Sequence, residues 1–68
     1  MTNTKLLREK INQSGYKLAF VASQLRISYQ GFLNKVNNKT EFTATEIATL
    51  KTLLNLTVEE CHAIFFAA

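Results

Sequence analysis

Within two turns of one expected helix the chain gathers Ser28, Tyr29, Gln30, Asn34 and Lys35, all hydrogen-bonding side chains, with no carboxylate among them. That set suits the edges of nucleic-acid bases. Gln and Asn can pair with adenine through two bonds, Lys can reach the acceptors of guanine, and Tyr can pack on a thymine methyl or bond a phosphate. The other reactive types offer less. Cys61 and His62 are neighbours, and neighbours on a helix diverge by about 100°, so they cannot serve as nucleophile and base. A metal site would need further ligands that the sequence does not supply. Paired carboxylates, a phosphate-cradling glycine loop and a nucleophile elbow are likewise missing. The expectation is a binding protein without catalytic residues, metal or cofactor.

The elements that must position these residues announce themselves through periodicity and caps, since proline is absent and glycine occurs twice. Leu7, Ile11 and Leu6 mark a first helix from about Thr4 to Gln13, ended by Ser14-Gly15, because glycine accepts the left-handed conformation of helix ends. Leu18, Val21, Ala22 and Leu25 follow the i, i+3, i+4, i+7 pattern of a short second helix. Ser28 is the expected N-cap of a third helix reaching Val36. Ile27 and Phe32 flank that cap as a staple, and Asn37-Asn38 closes the helix. Gly31 sits in its first turn, where it either weakens the helix or leaves room for a close approach. Thr43-x-x-Glu46 and Thr57-x-x-Glu60 are two capping boxes, with Phe42/Ile47 and Leu56/Cys61 as staples. The fourth helix is expected to bury Ile47, Leu50, Leu53 and Leu54. The fifth should bury Val58, Cys61 and one or both of Ile64 and Phe65.

Size and charge narrow the class. At 68 residues the chain reads as a single domain (1–68) that buries only about 60% of its unfolded surface. One cysteine rules out an internal disulfide, so helix packing must hold the fold together. No apolar run reaches the roughly 18 residues of a membrane span, and Met1-Thr2-Asn3-Thr4-Lys5 has no export signature, so the expected location is the cytoplasm. Charge is uneven. Residues 1–39 hold seven Lys and Arg against Glu9 alone, whereas residues 40–68 hold Lys51 against four glutamates. Such a split fits a polyanion partner for the first part, although unrelated solvated charges would give the same count.

Two short helices joined by a turn between Ala22 and Ile27 can present the second to a DNA groove, with Ala22 small enough to let the backbones approach. An ordinary αα-hairpin would satisfy the same stripe. The polar, acid-free outer side of the third helix favours the first reading.

Taken in order, Gly15 to Lys39, and in particular Val21-Ala22, Leu25, Ile27-Ser28, Phe32 and Asn34-Lys35-Val36-Asn37-Asn38-Lys39, resembles the Cro-type and lambda-repressor-like helix-turn-helix proteins of temperate phages. The nearest likeness is to small Cro-type proteins from phages of Gram-positive hosts. Phe42 to Leu56 is similar to their fourth helix and the turn into the fifth. This resemblance implies an all-α, compact five-helix lambda-repressor-like domain, its helix-turn-helix formed by helices two and three. It implies base contacts from Ser28, Tyr29, Gln30 and Asn34, with the helix Ser28 to Val36 in the major groove. Phosphate contacts would come from Lys17, Lys35, Asn38, Lys39 and Thr40. Three positions depart from the family. Arg26 replaces the usual turn glycine, Leu18 stands where many members hold phosphate through glutamine, and Phe20 is aromatic where a polar residue is usual.

The function expected is that of a Cro-like repressor bound to a double-stranded operator, in the host cytoplasm at the nucleoid. Homodimerisation is expected because one helix contacts few bases. The alternative is an antirepressor of the same fold that binds the phage repressor protein. Phe20, Ile64, Phe65 and Phe66 are the candidate protein-interaction residues, the last three being consecutive apolar positions that one core is not expected to cover.

Overall fold

Helix boundaries in this chain are set by short-range bonds that the side chains themselves supply. The computed structural model describes residues 1–66, which form α1 (Thr4–Ser14), α2 (Leu18–Gln24), α3 (Tyr29–Val36), α4 (Ala44–Leu53) and α5 (Val58–Phe65), with no strand among the described residues. The Ser28 hydroxyl accepts the Gly31 amide at 3.0 Å, so α3 starts where its cap was expected. Both capping boxes are complete: Thr43 and Thr57 each accept from the backbone of Glu46 and Glu60, whose carboxylates return the bond. Asn3, not anticipated as a cap, receives the Leu6 amide at 3.1 Å. Only α2 begins without a side-chain cap, at Lys17.

The far ends of three helices close alike. At α2 the Ile27 amide reaches Ala22 O at 3.2 Å and the Arg26 amide reaches Ser23 O at 3.1 Å. The same two bonds join Lys39 and Asn38 to Asn34 and Lys35 after α3, and Leu56 and Asn55 to Lys51 and Thr52 after α4. This is the Schellman arrangement, which needs a left-handed residue just past the helix. Arg26, Asn38 and Asn55 provide it at φ 59°, 63° and 52°. Asparagine tolerates that region, while arginine gains nothing local from it. Arg26 therefore keeps the expected turn in place at a cost of about 1 kcal/mol in backbone strain.

One core unites all five helices. Leu7, Ile11, Val21, Ala22, Leu25, Phe32, Val36, Leu50, Leu56, Cys61, Ile64 and Phe65 are buried. Phe42 bridges Phe32 and Phe65 edge-on, with ring centroids 6.2 and 5.5 Å away. The Cα radius of gyration is 10.6 Å, close to the roughly 11 Å of a compact domain this long.

Three expectations about burial change. Val58 is 66% exposed, because α5 buries the strip through Cys61, Ile64 and Phe65 while Val58 stands at its edge in the first turn. Ile64 and Phe65 are core residues, so neither is available as an interaction surface. In α4 only Leu50 is fully buried, with Ile47, Leu53 and Leu54 half-buried around it.

The N-terminal segment acts as a tie between helix ends. Asn3 donates its amide to Ile64 O at 2.6 Å, and the Thr4 hydroxyl donates to Val36 O at 2.8 Å. The ends of α3 and α5 are thereby held to the start of α1. No helix among the described residues is long and apolar enough to cross a membrane.

Candidate nucleic-acid interface

The packing of α2 on α3 determines which side of α3 faces outward. Val21 and Ala22 of α2 and Phe32 and Val36 of α3 are all but inaccessible, and Ile27 is held to Ala22 through the turn. Ala22 contributes small size where the backbone of Ile27 returns to within 3.2 Å of it. With Phe32 and Val36 turned inward, Ser28, Tyr29 and Gln30 remain exposed and Asn34 half-exposed. Tyr29 keeps 49% of its surface. The Gln30 Nε2 donates to Asn34 Oδ1 at 3.0 Å, linking the two amides across one turn. A Cβ at Gly31 would lie 3.0 Å from the Ser28 hydroxyl, so the glycine makes room for the cap of its own helix.

The expected phosphate-contacting residues separate into two groups. Lys17, Lys39 and Thr40 are exposed, Lys17 at the uncapped start of α2 and the other two just past α3. Lys35 is not on the outer side. Its Nζ lies 2.6 Å from Glu46 Oε1, and the two side chains keep only 16% and 11% of their surface. It bonds α3 to α4 because Glu46, fixed by its capping box, stands where Lys35 leaves the helix. The Asn38 side chain is also committed: Oδ1 accepts the Thr2 amide at 3.0 Å, while Nδ2 donates to Thr2 O and the Thr4 hydroxyl. Left-handed geometry at Asn38 turns that amide back toward the N-terminus, so it is not open for the phosphate contact expected of it.

No family model, curated protein or solved structure matches the chain.

Two cations near α3 had not been anticipated. Arg8 donates from Nη2 to Asn37 Oδ1 at 3.0 Å, which places a guanidinium from α1 beside the C-terminal end of α3. Arg26 is exposed in the turn that leads into α3. Sequence offered Arg26 only as a departure from glycine, and no spacing rule links Arg8 to a residue 29 positions away. Between Glu9 and Glu41 the chain has no acidic side chain at all, so α3 itself carries no charge that opposes these cations.

Two of the five carboxylates, Glu46 and Glu60, are engaged in ion pairs, while Glu9, Glu41 and Glu59 are exposed. Burial pushes the Glu46 carboxyl up, but the bonds from Lys35 and the Thr43 amide, with the Lys35 charge, outweigh it and hold the group below its ordinary 4.5. The Lys10 bond and the Thr57 amide hold Glu60 below the same value. Lys10 and Glu60 join α1 to α5 as Lys35 and Glu46 join α3 to α4.

Of the remaining candidates, Phe20 is 43% exposed and its ring lies 5.0 Å from that of Tyr16. Phe66 is 58% exposed, and its ring lies tilted against that of His62 at 5.7 Å. Cys61 is buried while His62 is exposed. Val58, His62 and Phe66 form an exposed strip at i, i+4, i+8 along α5.

Proposed function

We propose that the protein is a sequence-specific DNA-binding regulator, a Cro-like repressor whose α2–turn–α3 unit is a lambda-repressor-like helix-turn-helix. The observation that carries this reading is the division of α3 into a fully buried inner side, Phe32 and Val36, and an acid-free outer side on which Ser28, Tyr29 and Gln30 are exposed and Asn34 half-exposed. A helix with its side chains is about 10–12 Å across, and the major groove of B-DNA, about 12 Å wide, admits it. Hydrogen bonds from this face would read base edges, while Lys17, Arg26, Lys39, Thr40 and Arg8 hold phosphates on either side. Repression would be steric, by occupation of promoter DNA.

A single α3 contacts few base pairs, so the regulator acts as a dimer on half-sites about 34 Å apart. The α5 strip of Val58, His62 and Phe66 is the surface that replaces Ile64 and Phe65 in this role. A second reading, an antirepressor that binds the phage repressor protein, is favoured by one observation: the paired rings of Tyr16 and Phe20 lie open on the molecule.

The deciding experiment is selection of bound duplexes from a random pool at moderate salt. Enrichment of one short, two-fold symmetric site, bound at least a thousandfold more tightly than random duplex, is the expected result. Equal binding of all duplexes would remove the repressor reading. A tight complex with the repressor protein, unaffected by Gln30→Ala and Asn34→Ala, would put the second reading in its place.

A further inference from the structure

On the reading that α3 enters the major groove, we infer that Gln30 reads an adenine and that Asn34 is a positioning residue that orients it, with no base of its own. The inference starts from the bond between the two amides, Gln30 Nε2 to Asn34 Oδ1 at 3.0 Å. A primary amide nitrogen carries two hydrogens, and Asn34 occupies one of them. Gln30 is left with a free acceptor, Oε1, next to a free donor, the second Nε2 hydrogen.

Adenine presents the complementary pair in the major groove, an N6 donor beside the N7 acceptor. Guanine presents two acceptors, O6 and N7, so its O6 would oppose Gln30 Oε1. The Gln30 amide thus favours A over G, and the link to Asn34 holds it in the orientation that presents this edge. If both amides turned over together, Asn34 Nδ2 would donate to Gln30 Oε1, and Gln30 would still present an oxygen lone pair beside an Nε2 hydrogen.

Burial assigns the roles. Gln30 is exposed, whereas Asn34 is half-buried one turn further along and has its outward reach limited by the side chain bonded to it. Side chains on a helix lean toward its N-terminus, which carries Asn34 over the stem of Gln30. A glutamine already held in one orientation loses less rotamer freedom on binding than a free one. Ser28 is occupied as a cap, which leaves Gln30 as the exposed amide of this face.

The test repeats duplex selection with the full chain carrying Gln30→Ala, Asn34→Ala, both together, or Asn34→Asp, after circular dichroism has shown each variant to be helical. The wild-type site is expected to contain a fixed A·T pair. Gln30→Ala should relax that pair roughly tenfold or more, and Asn34→Ala should relax the same pair by a smaller factor. The double variant should match Gln30→Ala alone. Asn34→Asp keeps an acceptor for Gln30 Nε2, so it should restore the A preference while weakening binding to all duplexes alike. Relaxation of a different base pair by Asn34→Ala would overturn the inference, because Asn34 would then be a reader. Relaxation of no pair, or of a G·C pair, by Gln30→Ala would also overturn it while leaving the DNA-binding reading intact. A wild-type protein that enriches no sequence overturns both.

Discussion

Lys35 and Lys39 stand four residues apart and carry the same charge, yet one closes the core and the other is free. Lys35 lies against Glu46 at 2.6 Å with little surface left, so its contribution is to the fold. Lys39 is exposed past the end of α3, so under the proposed function its contribution is to the approach of a polyanion. The two are separated by one experiment. Lys39→Ala and Lys17→Ala should each lower the slope of log affinity against log salt by about 1. Lys35→Met should leave that slope unchanged and lower stability by about 1–3 kcal/mol, because Glu46 loses a partner in a poorly solvated place. A salt slope that falls with Lys35→Met would contradict this division. At this scale the sequence was legible for the exposure of Tyr29 and Gln30, which follows from the apolar stripe on the other side of their helix. It was silent on Lys35, Asn38 and Arg8, whose partners lie 11, 36 and 29 positions away; those pairings are products of the fold.

Caps and turns act between helix and loop, and their energetics are local enough to isolate. Thr43→Ala and Thr57→Ala should each cost about 1 kcal/mol, measured as a lower urea midpoint. Arg26 is the informative turn residue. Its φ of 59° is uncomfortable for a residue with a Cβ, so Arg26→Gly should raise stability by about 1 kcal/mol. A lower urea midpoint for that variant would mean that the arginine makes a contact worth more than the strain. Element boundaries were the most legible part of the sequence, since a capping box or an Asn-Asn stop involves residues only a few positions apart. Val58 shows the limit of that local logic. Its apolar type suggested burial, but position within α5 places it beside the buried strip, where only the packing of neighbouring helices decides exposure.

Across the whole molecule, the uneven charge of the two chain halves proves to be partly an internal matter. Glu46 and Glu60 are matched by Lys35 and Lys10 across helix pairs, so two of the four C-terminal glutamates face neither solvent nor partner alone. Both titrate below their ordinary 4.5 when folded. The unfolded chain therefore takes up these protons first as pH falls. The stabilisation is complete above about 4.5 and is lost as pH drops through the lower folded values. The urea midpoint should fall as pH drops below about 5, and Glu46→Gln should flatten that fall. An unchanged pH dependence in Glu46→Gln would show that other groups govern acid unfolding. What the sequence could express of the whole was the helical class and the acid-free stretch before Glu41. What it could not express was which basic residues remain free once the helices meet.

The central claim, that the outer side of α3 is where DNA lands, is tested most directly by following backbone amide signals by NMR while duplex DNA is added. The account expects the shifts to concentrate at Ser28 to Asn34, with a second set at Lys17, Lys39 and Thr40, and little change along Val58, His62 and Phe66 beyond that due to dimer formation. Shifts confined to Tyr16 and Phe20 or to α5, with Tyr29 and Gln30 unmoved, would contradict it.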